Sequence, residues 1–229
     1  MIGLRGVIFD LDDTLFDCTG QLTEPARQRA SDILCSDLAN VTSDELTHLQ
    51  NRLSKQLGST GAIREIGARY LVANAMVESA LQSYNRDDVP EILPYPDAIE
   101  TLDSILRANI RISLVTTGRS TRQLAKIERL DLLRYFEPGR NVFIHDPASG
   151  NPNKDIQMKV AIEAGLLAPA ETACIGDKLD ADIRVGNRLG LTTVRIRKGR
   201  QRDAEPSTPE ETPDFDVLEL SELPAILYL

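Results

Sequence analysis

Apolar residues recur along this chain in two rhythms. Short apolar runs at Val7–Phe9, Ile112–Thr116, Val142–His145, Ala173–Gly176, Thr193–Ile196 and Asp216–Leu220 read as strands. Unbroken runs of that length suit strands buried on both faces. Between most of them the spacing turns helical. Ile99, Leu102, Ile105 and Leu106 form one stripe, Leu124 and Ile127 another, and Ile156, Val160 and Ala164 recur every four residues up to Gly165. Strands alternating with helices predict right-handed βα units. The expected fold class is α/β: a Rossmann-like, mostly parallel sheet with helices on both faces.

One long segment breaks the alternation. From Asp17 to about Pro90 no strand pattern appears. Thr42 and Glu45 have the spacing of a capping box, ahead of Leu46, Leu49, Leu53 and Leu57. Gly58 ends that helix. A second helix is expected from about Ala62 to Tyr84, with Ile66, Tyr70, Ala73, Val77 and Leu81 on one face. Pro90, Pro94 and Pro96 mark the return to the core. The expected domains are an α/β core of residues 1–16 and 91–229 and an inserted all-helical domain of residues 17–90. Such an insertion either completes the fold or forms a mobile cap hinged near Phe16–Thr19 and Val89–Tyr95.

Composition narrows the partners. The 229 residues suffice for one core with a smaller inserted domain. A formal charge of −9 without a basic cluster argues against nucleic acid or an anionic membrane surface as main partner. No apolar run approaches the ~20 residues of a membrane helix. The first strand begins almost at the N-terminus, which leaves no room for a signal peptide and predicts a cytoplasmic setting. Three cysteines, Cys18, Cys35 and Cys174, without a CxxC pair, fit a reducing compartment. With only His48 and His145, a His-rich metal site is excluded. The Asn40-Val41-Thr42 sequon carries no weight in a cytosolic protein, and Ala204–Pro213 reads as a solvated loop.

The candidate chemistry lies where strands end. Gly6–Phe16 reads GVIFDLDDTLF, so the first strand runs into Asp10, with Asp12 two positions on and Thr14 after it. Carboxylates there are expensive unless a cation or a reaction uses them, and in open α/β sheets that rim is where ligands bind. One carboxylate can attack an electrophile while the other handles protons. Further along, IRISLVTT runs into Thr116, Thr117 and Gly118. Lys154 opens a helix, and TACIGDKLDAD ends a strand on Gly176 and Asp177, with Asp182 five residues later.

In order and placement these four elements resemble the four motifs of the haloacid dehalogenase superfamily, mostly phosphatases that use an aspartate nucleophile and Mg²⁺. The resemblance spans Asp10 to Asp182, and it implies that the helical insertion is a cap. It also implies roles. Asp10 would attack phosphorus to form an aspartyl phosphate, and Asp12 would act as general acid and base. Asp10, the Asp12 backbone carbonyl and Asp177 would hold Mg²⁺, with Asp182 a ligand or an orienting group. Asp180 between them could compete for that role, but reads first as a solvated turn carboxylate or helix N-cap. Lys154 would offset charge on Asp10 and the phosphoryl group. Thr116 would bind phosphate through its hydroxyl, aided by N–H groups of Thr117 and Gly118 and by others near Asp12. Many relatives read Lys-Pro where this chain has Asn151-Pro152; Lys154 fits a shorter spacing, and Lys159 lies one turn further. Thr117 stands where asparagine is frequent, and Asp13 where glycine is frequent.

A carboxylate at position 12 points to phosphate esters, since dehalogenating and phosphonate-cleaving members lack one there. The expected activity is Mg²⁺-dependent hydrolysis of a small phosphorylated metabolite. The alternatives are a phosphomutase of the same superfamily and a non-catalytic phosphate-binding protein. A response-regulator receiver is set aside, because it lacks the later Gly-Asp element and the helical insertion. Arg64, Arg69 and Gln56 are polar positions of the insertion that read first as solvated helix residues.

Overall fold

A computed structural model describes residues 3–36, 38–147 and 154–227. The chain divides into two compact units, Met1–Thr19 with Asp88–Leu229, and Gly20–Asp87. The larger unit is built on six parallel strands: β1 (Gly6–Phe9), β2 (Arg111–Thr117), β3 (Val142–His145), β4 (Thr172–Gly176), β5 (Thr192–Ile196) and β6 (Phe215–Val217). Their order is β3-β2-β1-β4-β5-β6. The order reverses between β1 and β4, and at such a switch point the loops leaving the carboxyl ends diverge and open a crevice.

The central strands are apolar on both faces because helices cover both. Every residue of β1 and of β4 is buried. On one face Ile8, Val115 and Cys174 pack with Met158, Ala161 and Ile162 of a helix at Asp155–Ala164 and with Val185 of a helix at Arg184–Leu189. On the other, the Phe9 ring meets Phe136 edge-on at 6.4 Å. Helices at Ala98–Arg107 and Ser120–Arg129 complete the layers. Register aligns Phe9 with Leu114 on one side and Ile175 on the other. Asp10, Thr116 and Asp177 therefore leave three adjacent strands at one rim.

The smaller unit is helical: α1 (Glu24–Cys35), α2 (Ser43–Arg69) and α3 (Asn74–Tyr84). In chain order the helices of the larger unit are then α4 (Ala98–Arg107), α5 (Ser120–Arg129), α6 (Asp155–Ala164), α7 (Arg184–Leu189) and α8 (Leu223–Ile226). The Thr42–Glu45 capping box forms at the start of α2. At Gly58 (φ 68°) α2 is broken, where a side chain would meet steric conflict with the backbone. Leu34, Leu46, Leu49, Ile63, Ile66, Val77 and Leu81 form the unit's own core.

Four expectations are corrected. The helix expected over 62–84 is two helices, separated by Tyr70–Ala73. Leu71 takes a left-handed conformation (φ 54°), and the Val72 N–H returns to the Gly67 carbonyl at 2.9 Å. Ala73 is consequently exposed outside α3. In α6 the buried positions are Met158, Ala161 and Ile162, while Ile156 and Val160 are 52% and 40% exposed. The last strand stops at Val217 because Leu220 already begins a 3-10 turn. Leu57 and Leu106 lie outside the cores.

Candidate active site

The rim at the carboxyl ends of β1, β2 and β4 gathers an unusual density of buried charge. Asp10 follows β1 directly and is almost fully buried; its N–H is fixed by the Ile175 carbonyl at 2.9 Å. Lys154, at the start of α6, is buried as well. Its Nζ donates to Asp10 Oδ1 and, at 2.7 Å, to Asp182 Oδ1. Asp182 Oδ2 accepts the Lys178 backbone N–H at 3.0 Å. Lys178 Nζ lies 3.1 Å from Asp177 Oδ1 and 3.6 Å from Asp10 Oδ2. Asp10 Oδ2 itself is buried and, among the described residues, accepts no hydrogen bond.

These contacts set the charge states. Burial raises the Asp10 carboxyl, but Lys154 and Lys178 outweigh it and hold Asp10 below the ordinary carboxylate range. Burial dominates at Asp177; Lys178 opposes it, Asp182 and Asp10 add to it, and the carboxyl is pushed up to about 8. Asp182 is raised by burial against the pull of Lys154. Burial would lower Lys154, yet Asp10 and Asp182 hold it above the ordinary lysine value. Lys154 is thus a permanent cation between two carboxylates.

Asp10, Asp177 and Asp182 each offer a carboxylate oxygen within 4.8 Å of the others. An all-oxygen set of this kind suits a hard divalent cation. Two observations agree with such an occupant: Asp10 Oδ2 is buried without a hydrogen bond, and Asp177 is raised by burial and by the neighbouring carboxylates Asp182 and Asp10. Gly176 is part of the construction. A Cβ there would lie 2.4 Å from Asp182 Cγ, so only glycine lets Asp182 fold back beneath β4. Gly176→Ala is expected to cost about 1–3 kcal/mol in urea unfolding, the range for overpacking, and to weaken divalent-cation binding measured calorimetrically.

The remaining expected residues occupy the same rim. Asp12 stands apart from the three-carboxylate cluster; Lys126 Nζ donates to both its oxygens, at 2.7 and 2.8 Å. The buried Thr116 hydroxyl accepts from Gln123 Nε2 at 2.6 Å. Thr117 is exposed at the end of β2. The Gly118 N–H, expected to be available to phosphate, instead donates to the His145 carbonyl at 2.9 Å, because β3 runs alongside. Asp13 accepts from the Thr19 N–H and hydroxyl, each at 2.7 Å, and so closes its own loop. Asp180 and Lys159 are exposed, and Asn151-Pro152 lie outside the described residues.

Three residues of the rim escaped the sequence reading: Gln123, Lys126 and Lys178. Gln123 and Lys126 are buried on the face of α5 that carries Ile127. The available signal was a glutamine four residues before Ile127 and in phase with it. Lys178 sits beside Asp177 in plain sight, but adjacency in sequence does not reveal that its ammonium reaches back to Asp10.

A six-stranded parallel sheet whose switch point holds a buried aspartate, a buried lysine and two further carboxylates is an α/β core with a charged crevice at the rim where such sheets bind ligands. The profile of the haloacid dehalogenase-like hydrolases matches residues 7–196. The chain belongs to that family. It is 32% identical over 222 residues to the glyceraldehyde 3-phosphate phosphatase of Methanopyrus kandleri, covering 93% of each chain. It is 26% identical over 226 residues to the enzyme of the same name from Methanocaldococcus jannaschii, covering 96% of this chain and 95% of that one. Among solved structures it resembles YfnB of Bacillus subtilis, solved bound to magnesium, with a TM-score of 0.67 at 21% identity over 99% of this chain and all of that one. The protein is an enzyme of the phosphatase branch. Among the described residues no helix is long and apolar enough to cross a membrane.

Proposed function

We propose that this enzyme hydrolyses a small phosphorylated metabolite through an aspartyl phosphate on Asp10, with Mg²⁺ held by Asp10, Asp177 and Asp182. The observation that carries this reading is Asp10: a buried carboxylate held in its ionised form, with one oxygen hydrogen-bonded to Lys154 and the other facing Lys178 at 3.6 Å without a hydrogen bond. A carboxylate kept charged without solvent is prepared to attack. In the first step an Asp10 oxygen bonds to phosphorus, the ester P–O bond breaks, and the leaving oxygen takes a proton from Asp12. In the second, water attacks phosphorus and gives a proton to Asp12, the bond to Asp10 breaks, and inorganic phosphate leaves. Lys154 offsets charge at Asp10 throughout, and Thr116 donates its hydroxyl proton to a phosphoryl oxygen. When bound, Mg²⁺ supplies charge neutralisation that lets an anionic nucleophile approach an anionic ester.

The relatives support a three-carbon sugar phosphate as the first substrate to try, since the Methanopyrus and Methanocaldococcus proteins are named for glyceraldehyde 3-phosphate. The helical unit, residues 17–90 in the sequence reading, is proposed as the cap that selects among such esters. Arg64 and Arg69 are weak candidates there: both are exposed, and they pair with Glu78 at 2.8 Å and Glu65 at 3.5 Å. The test is Mg²⁺-dependent phosphate release from a panel of phosphomonoesters that includes glyceraldehyde 3-phosphate. Release that requires Mg²⁺ supports the reading. No release by folded protein across the panel overturns it.

Metal binding should also be coupled to protons. Asp177 holds its proton up to about pH 8 in the metal-free protein, and a ligating carboxylate must lose it. Raising the pH from 6 toward 8 is therefore expected to tighten Mg²⁺ binding, by up to about tenfold per pH unit for one proton released, and to level off above 8. Titration calorimetry in buffers of different ionisation enthalpy measures both the affinity and the released proton.

A further inference from the structure

Lys126 and Gln123 are the two buried polar side chains of α5, and both point at groups that the proposed chemistry needs. Lys126 is 4% and Gln123 1% exposed. Lys126 Nζ grips Asp12 at both oxygens, 2.7 and 2.8 Å away. The same ammonium lies 5.9 Å from the centre of the Phe16 ring, which limits its freedom. Gln123 Nε2 donates to Thr116 Oγ1 at 2.6 Å and faces Asp12 Oδ2 at 3.4 Å. The same amide nitrogen, not the amide oxygen, faces both Thr116 and Asp12. That orientation has a consequence for Thr116. One lone pair of its hydroxyl is taken by Gln123, and its proton remains to be donated elsewhere.

We infer that Lys126 and Gln123 form a brace on α5 that fixes the proton-carrying carboxylate and the phosphate-binding hydroxyl relative to each other. Lys126 and Gln123 are positioning residues: Lys126 acts through Asp12, and Gln123 through Thr116. A flexible carboxylate just beyond a strand end has several rotamers, and holding one of them in place before reaction is what such contacts contribute. The two brace residues lie three apart on one helix turn, so a single rigid element sets both groups. The bland alternative is that the pair merely satisfies buried polarity in the core. It predicts loss of stability without any change in which chemical step is slow.

This inference rests on the phosphatase reading with Asp12 as proton carrier, and the experiment separates the two. Full-length wild type, Asp12→Asn, Lys126→Met and Lys126→Arg are compared with Mg²⁺ on glyceraldehyde 3-phosphate and on p-nitrophenyl phosphate. The aryl ester leaves without needing a proton, whereas the alkyl ester needs one. For Lys126→Met the expected result on the alkyl ester is a kcat about 10–10²-fold lower with a KM close to wild type. On the aryl ester a burst of about one p-nitrophenolate per site should precede slow turnover, because the intermediate forms but its hydrolysis lacks a well-placed base. Lys126→Arg, which keeps a donor to Asp12, should recover most of the alkyl rate. Wild-type behaviour of Lys126→Met beside a slow Asp12→Asn overturns the brace alone. Wild-type turnover by Asp12→Asn overturns the acid–base reading and the brace with it. Equal losses on both esters without a burst, and without recovery in Lys126→Arg, make the role structural and also overturn the brace.

Discussion

Asp10→Asn should release no phosphate above background, a fall of at least about 10⁴-fold in kcat, as expected when a covalent nucleophile is removed. Asparagine keeps the shape of the side chain but replaces a charged oxygen with an amide that does not attack phosphorus. The fold should survive the change. Lys154 retains Asp182 at 2.7 Å, and the substitution also removes a buried charge whose Oδ2 has no hydrogen-bond donor. Tm should accordingly move little compared with the loss of activity. Acid-quenched wild-type enzyme caught during turnover should carry a covalently bound phosphoryl group, and the variant none. Substantial Mg²⁺-dependent hydrolysis by Asp10→Asn would show that the nucleophile is elsewhere, whatever the panel of esters reveals about specificity.

What the sequence made legible follows from where information is local. The buried strands announced themselves as continuous apolar runs, and β3 falls at Val142–His145 as expected. The acidic residues at their ends stood out because carboxylates there are costly. Positions that depend on tertiary contacts were less readable. Ile156 and Val160 keep helical spacing in α6, but so do Met158 and Ile162, and only packing against Ile8 and Val115 decides which stripe is buried. The break after Arg69 has no glycine or proline to mark it; Leu71 bears the left-handed conformation because the Val72 N–H closes the end of the helix. Lys126 illustrates the limit most clearly. In sequence it is one basic residue among several on α5, and its meaning comes from Asp12, 114 positions away. The Gly118 N–H reads as available in the sequence because the strand that consumes it, β3, is far along the chain.

Lys154→Met should be the most destabilising single substitution at this rim. The lysine is 3% exposed and is the hydrogen-bonding cation shared by Asp10 and Asp182, themselves 4% and 0% exposed. Replacing a buried pair with apolar groups on both sides can be neutral, but removing one partner strands the other. Here one substitution strands two carboxylates. The expected cost is about 3–5 kcal/mol in denaturant unfolding without metal, or on the order of 10 °C in Tm for a chain of this size. Lys178 does not compensate, because its contacts run to Asp177 and to the opposite oxygen of Asp10. Mg²⁺ in excess should recover part of the loss, since a ligand that binds only the folded state stabilises it by mass action. Activity should not recover with it, because the charge at Asp10 Oδ1 remains unmet during attack. Lys159→Met is the matching control: that side chain is exposed one turn further along α6, so its stability should stay within about 0.5 kcal/mol of wild type. The reverse outcome, a stable and active Lys154→Met beside an impaired Lys159→Met, would transfer the charge-compensating role to the later lysine.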